Sequence, residues 1–135
     1  MNALDAAIYS KLNTSGVTSQ LAAGSASLFA LQAKEGAAYP YVVWNIQGGG
    51  DDNLDPRRTK DVVWFIRAYS QASKAQAGSI DAAIDTALHL QTLNVSGWSN
   101  YWVAREEDLA ATEYPPNNQP VFMVGGFYRV LIEKT

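Results

Sequence analysis

YPYVVWNIQGGGDDNLDPRRTKDVVWFIRAYS, residues 39–70, is the stretch that dictates how the rest of the chain must fold. It reads as two strands, Tyr39–Gln47 and Asp61–Tyr69, joined by a polar loop that opens on Gly48, Gly49 and Gly50. Val42, Trp44 and Ile46 share one face of the first strand, opposite Tyr41, Val43, Asn45 and Gln47. In the second, Val62, Trp64, Ile66 and Ala68 share a face, opposite Asp61, Val63, Phe65, Arg67 and Tyr69. The period of two, with β-branched and aromatic residues, is that of strands half-buried in a sheet. A two-stranded hairpin is not stable by itself in water, so other segments must cover its apolar face.

Two flanking segments are suited to that cover. Leu4, Ile8 and Leu12 recur every four residues, which predicts an amphipathic helix over Asn2–Lys11, ended by Asn13-Thr14-Ser15-Gly16. Ser73-Lys74-Ala75-Gln76 is a capping-box pattern that starts a second helix running to about Leu90. Its stripe of Ala77, Ile80, Ile84, Ala87 and Leu88 faces the hairpin, and Asp81, Asp85 and His89 form the opposite, solvated stripe. Val17–Ala23 adds a short helical turn and Ser27–Ala33 a short strand. Further on, Trp98–Glu107 reads as a strand that loses its apolar character at Arg105-Glu106-Glu107-Asp108. Three prolines bar regular structure from Tyr114–Pro120. Val121–Val124 resumes the β pattern, Gly125-Gly126 marks a bulge or a close backbone approach, and Phe127–Lys134 closes the chain. The expectation is a single α+β domain over residues 1–135, with a mainly antiparallel sheet of four to five strands and two helices on one face.

Composition narrows the chemistry. With 47% hydrophobic and 17% charged residues, the surface is poor in charge, as suits one that is partly covered by a partner. A net charge of −3 gives no bulk attraction to nucleic acid or anionic membrane. Zero cysteines exclude disulfides, thiolate nucleophiles and cysteine zinc sites. Met1–Asn13 carries Asp5 and no continuous apolar run, unlike a signal peptide, which leads to the expectation of a cytoplasmic product. The single histidine, His89, has no partner marked by spacing, and its place in the last helical turn near Asp85 suits a surface role. Asp51, Asn53 and Asp55 match the first positions of a calcium loop, but Pro56 and Val62 stand where that loop needs Gly and Glu. The three glycines lead from strand to strand, without the helix N-terminus that holds a phosphate. No cofactor or metal is expected.

Two surfaces carry the functional expectation. In the loop Gly48–Lys60, acidic Asp51, Asp52 and Asp55 are segregated from basic Arg57, Arg58 and Lys60, a dipolar strip fit to register against a partner. On the hairpin, Val43, Val63, Phe65 and Tyr69 are too apolar for a solvated sheet face, whereas Asn45, Asp61 and Arg67 are too polar for a core. A half-apolar face of this kind suits a subunit interface. It would also suit a face over which the N-terminal segment or Tyr114–Pro120 folds.

The arrangement resembles the tail terminator, or tail completion, proteins of long-tailed bacteriophages. The resemblance rests on the N-terminal helix, Tyr39-Pro40-Tyr41-Val42-Val43-Trp44, and Phe65-Ile66-Arg67-Ala68-Tyr69-Ser70 running into an alanine-rich helix. A closing strand, Phe127-Tyr128-Arg129-Val130-Leu131-Ile132, completes it. It implies a non-enzymatic virion protein, made in the host cytoplasm, whose copies form a hexameric ring on the head-proximal end of the tail tube. The ring would stop tube polymerisation and present a surface to the head connector. Its partners would be itself, the tail tube protein and the head completion protein, with no direct nucleic-acid recognition and no membrane. In this reading Asp51, Asp52, Asp55, Arg57, Arg58 and Lys60 dock, while Val43, Val63, Phe65 and Arg67 lie between subunits. Two other classes stay open on the residues alone. One is a small cytoplasmic enzyme with a carboxylate pocket near Glu106, Glu107 and Asp108, which requires a deep cleft with convergent polar groups. The other is a monomeric adaptor or ligand-binding module, which requires a fully covered sheet.

Overall fold

A computed structural model describes residues 2–53, 58–116 and 119–135. The chain opens with helix α1 (Asn2–Leu12), one helical turn α2 (Ser15–Thr18), a 3-10 turn (Gly24–Ser27) and strand β1 (Leu28–Ala30). Strands β2 (Tyr41–Asp51) and β3 (Thr59–Ser70) form the expected hairpin, and helix α3 (Lys74–Leu88) follows. Strands β4 (Trp98–Glu113) and β5 (Val121–Lys134) end the chain. The five strands make one sheet in the order β1-β2-β3-β5-β4, with β1 parallel to β2 and the other neighbours antiparallel. This is the mainly antiparallel α+β architecture read from the sequence, with the short helical turn expected over Val17–Ala23 found earlier, at Ser15–Thr18.

The helices cover one face of the sheet. Leu4, Ile8 and Leu12 of α1 and Ile80, Ile84 and Leu88 of α3 are buried against Val42 and Trp44 of β2 and Val62, Trp64 and Ile66 of β3. Tyr128, Val130 and Ile132 of β5 and Val103 of β4 complete this core. The Trp44 indole donates to Asp5 Oδ1 at 3.2 Å, which ties α1 to the hairpin. Helix α3 starts where its cap lies: Ser73 Oγ accepts the Gln76 N–H at 3.0 Å. The Gln76 side chain accepts from Ser70 Oγ instead of turning back on Ser73. Ser70 Oγ in turn accepts the N–H groups of Ala72 and Ser73, so the fully buried Ser70 joins the end of β3 to the first turn of α3. Among the described residues no helix is long and apolar enough to cross a membrane.

Three strands run further than their side-chain patterns suggest. Gly48, Gly49 and Gly50 belong to β2, not to a loop, and pair with Val63, Val62 and Asp61 after a register shift at Gln47. Gly49 has φ +95°, and a Cβ there would lie 2.0 Å from the Asp61 carbonyl oxygen, so the bulged strand admits only glycine. Strand β4 continues to Glu113 because its ladder with β5 runs on regardless of side-chain polarity, with a second shift between Arg105 and Glu107. Beyond that shift β4 stays paired with β5 as the edge of the sheet, and every residue from Glu106 to Tyr114 is exposed. Strand β5 passes through Gly125 and Gly126 in unbroken register with β3, so the close-approach reading of that pair holds and the bulge lies on β4. Ile46, expected in the core, is 47% exposed because β1 stops opposite Trp44.

Candidate partner interface

Among the described residues, the sheet face turned away from the helices carries no second layer. Alternation on β3 puts Val63, Phe65, Arg67 and Tyr69 there, next to Arg129, Phe127, Gly125 and Met123 of β5. From β2 come Tyr41, Val43 and Asn45, paired with Tyr69, Arg67 and Phe65. Val43 and Met123 are buried yet stand outside the main core, under taller aromatic neighbours. Those neighbours form a ladder across the face. Tyr41 stacks on Tyr69 with ring centroids 5.3 Å apart, Phe29 meets Tyr41 edge-on at 5.7 Å, and Phe65 stacks on Phe127 at 4.9 Å. Burial, helped by a hydrogen bond with Tyr39, pushes the Tyr41 phenol well above its ordinary pKa.

Arg67 lies at the centre of this face, half-buried. Its guanidinium sits 4.6 Å from the Phe65 ring and 5.8 Å from that of Tyr69. Nε donates to the Tyr69 hydroxyl at 2.8 Å and Nη1 to Asn45 Oδ1. Gly125, directly across the ladder, makes room for it: a Cβ there would fall 2.7 Å from Arg67 Cβ. Arg129 closes the far side of the face on Asp61, Nε to Oδ1 at 2.7 Å, with Glu106 at 3.5 Å. That hydrogen bond from Arg129 holds the Asp61 carboxyl below the ordinary carboxylate range. The four residues expected at a subunit interface, Val43, Val63, Phe65 and Arg67, thus share one face without a covering helix.

The hairpin end is shorter and more self-contained than the sequence suggests. Asp51 accepts two hydrogen bonds from Arg58, at 3.2 and 2.8 Å, and lies 3.3 Å from Lys60 Nζ. Arg58 above all, and then Lys60, lower the Asp51 pKa. Asp52 accepts from Thr59 Oγ1 at 2.9 Å. Acidic and basic residues that are segregated in sequence are therefore neighbours across the hairpin. Asp55 and Arg57 lie outside the described residues.

The carboxylates of β4 do not converge. The shift at Glu106 and strand alternation send Glu106 to Arg129 and Asp108 to Arg105, on opposite faces of the sheet. Glu106 and Glu107 flank a shallow groove of about 370 Å³ with Gln47, Gly48, Val63 and Phe127, which lacks the converging polar groups a catalytic pocket needs.

A polar cluster that the sequence reading passed over lies between β4 and α3. Arg105 donates to both carboxylate oxygens of Asp81 at 2.9 and 2.8 Å, to the Tyr128 hydroxyl at 3.0 Å and to the Gly125 carbonyl at 3.0 Å. Its Nε donates to Asp108 at 2.6 Å. Burial opposes the charge on Arg105, but the hydrogen bond to Asp81, with Tyr128 and Asp108, outweighs it and raises its pKa. Asp81 is accordingly 8% exposed instead of solvated, and His89 Nδ1 accepts the Arg105 backbone N–H at 3.0 Å. The available signals were a lone arginine inside a strand and a glycine pair opposite it.

A family model described as Tail completion protein gp17 matches residues 6–113. Among 13 matching chains of solved structures is one from the "Virion of native gene transfer agent (GTA) particle", with a TM-score of 0.79 at 19% identity. The match covers 98% of this chain and 96% of that one, and at such identity it speaks for a shared fold. Comparison with curated proteins gives no match.

Proposed function

The chain belongs to the tail completion protein gp17 family, and on that premise we propose that it caps the head-proximal end of a phage tail tube as a closed ring. It is a structural protein of the tail; the finer reading is that the ring stops tube polymerisation and supports joining of the head. The observation that carries this reading is the uncovered face built on Val43, Val63, Phe65 and Arg67. It combines stacked aromatics, buried aliphatics and one central cation, the composition of an interface centre more than of a solvated sheet. A cyclic ring needs a heterologous contact, in which this face meets a different surface of the next copy. Six copies are the expected ring. Asp51, Asp52, Arg58 and Lys60 at the hairpin end, with Asp55 and Arg57 beside them in sequence, are assigned to docking on the tube or the head connector. The fold of the gene transfer agent virion chain supports a place in such a particle.

The test is to add the purified protein to tail tubes assembled without it. Binding as a ring at one end, with arrest of further growth, is the expected result. Binding along the tube wall, or growth that continues unchanged, removes the reading.

A further inference from the structure

The outer edge of β2 is only half covered. Strand β1 pairs with Val42–Trp44 and then stops, so among the described residues Ile46–Asp51 have β3 on one side and no strand on the other. The chain turns away at Leu31, whose φ of +74° carries it off the sheet and leaves its side chain 72% exposed. The Leu31 N–H still donates to the Trp44 carbonyl at 2.7 Å, so the main-chain groups of Trp44 face outward. By strand alternation the Ile46 N–H faces outward as well, past the end of β1. An uncapped stretch of this kind is a template for another strand.

A notch of about 170 Å³ lies beside that stretch, with Asp5, Leu31, Trp44, Ile46 and Trp64 in its lining. Its two indoles differ. Trp44 Nε1 donates to Asp5 Oδ1 at 3.2 Å, whereas Trp64 Nε1, in a residue 2% exposed, has no acceptor among the described residues. A buried donor is costly until an acceptor reaches it. A carboxylate is a poor acceptor here, because it would come to rest beside the Asp5 carboxylate, whereas a main-chain carbonyl brings no charge. The chain's own exposed edge, Glu107–Glu113 of β4, is unsuited for the same reason, since it carries Glu107, Asp108 and Glu113. An outward N–H, a site for a neutral acceptor and the exposed side chains of Leu31 and Ile46 together describe an uncharged, extended peptide segment.

We propose that the free stretch of β2 receives an uncharged, extended segment of a tail tube subunit as an added strand. One main-chain carbonyl of the segment lies on Trp64 Nε1 and an apolar side chain packs on Leu31 and Ile46. This rests on the tube-capping role given above and names the kind of partner segment that role would engage. The stretch ends at Asp51, among the hairpin-end residues assigned to docking, so both surfaces can hold one partner. A tube end open to growth presents groups that bind the next subunit, and arrest of growth requires those groups to be filled.

The test measures binding of full-length variants to the ends of purified tail tubes, with light scattering to follow self-association. Ile46→Pro removes the outward N–H while sparing the bonds between β2 and β3, and is expected to weaken end binding about 10-fold or more. Trp64→Phe removes the unpartnered donor and is expected to weaken it about 3–10-fold. Leu90→Lys alters a similarly exposed leucine beside β4, at the opposite edge of the sheet, and is expected to bind as the unaltered chain does. On tubes, the Ile46 amide of the unaltered chain is expected to become protected from hydrogen exchange. If Ile46→Pro fails to fold, Ile46→Lys takes its place by setting a charge on the free edge. End binding that neither substitution weakens, or an Ile46 amide that stays unprotected, overturns the added strand and leaves the capping role standing. Variants that lose self-association but still bind tubes make the occupant a second copy, and normal capping with heads left unjoined makes it the head connector. Either result overturns the proposal. An unaltered chain that does not bind tube ends overturns the capping role and the added strand together.

Discussion

Replacing Gly126 by Ala adds one methyl group where the sheet closes on the Arg105 side chain. The new Cβ would lie 2.6 Å from both Cζ and Nε of Arg105 and 2.8 Å from the Glu107 carbonyl oxygen. The guanidinium cannot step aside easily, because Asp81, Asp108, Tyr128 and the Gly125 carbonyl all hold it. Overpacking costs about 1–3 kcal/mol, and the removal of glycine's extra chain entropy offsets about 0.5–1 kcal/mol of that. The net loss is about 1–2 kcal/mol, or roughly 3–10 °C in Tm for a chain of this size. If Arg105 is driven out, Asp81 is left buried without its partner and the loss grows to about 3–5 kcal/mol. Urea unfolding followed by tryptophan fluorescence reads the change. The same substitution in an Arg105→Ala background isolates the guanidinium's share, since only the Glu107 carbonyl contact then remains. The two substitutions should couple by about 1 kcal/mol or more. Additivity within about 0.5 kcal/mol would refute the argument that the guanidinium is what Gly126 accommodates.

Other substitutions follow from the same packing. Gly78 lies inside α3, and a Cβ there meets nothing within 4 Å, so Gly78→Ala should raise stability by about 0.5–1 kcal/mol in the same unfolding assay. Ser73→Ala removes the side-chain cap of α3 and should cost about 1 kcal/mol, with Ser73→Asp close to neutral. Asp61 titrates below its ordinary value because of Arg129, so its contribution is present above about pH 4 and is lost as pH falls through the depressed pKa. Asp61→Asn should flatten that part of the acid limb in a Tm-against-pH series, and an unchanged limb would show that the Arg129 pair does not contribute.

What could be read from the chain was local. The β2–β3 alternation and the Ser73 cap depend on residues a few positions apart, and both elements are where their patterns put them. The extent of β2 was harder, because Gly48–Gly50 reads as a loop until the bulge at Gln47 restores its pairing with β3. The same extension decides the charges: Asp51 faces Lys60 across the ladder, so acidic and basic residues that are segregated in sequence are neighbours in the fold. Likewise β4 outruns its apolar pattern because β5 supplies its hydrogen bonds. The Arg105–Asp81 cluster joins residues 24 apart in sequence, on a strand and a helix that touch only after folding, and no periodicity marks it. The uncovered face was legible in its composition, since Val43, Val63, Phe65 and Arg67 alternate on adjacent strands. Its aromatic ladder, drawn from four strands, required the register.

The most direct test of the tube-capping role is electron microscopy of a lysate from a phage lacking this gene. The account predicts tail tubes of widely scattered, extended length beside filled, unjoined heads, with both defects reversed when the protein is supplied. Virions of normal tail length with heads attached would contradict it.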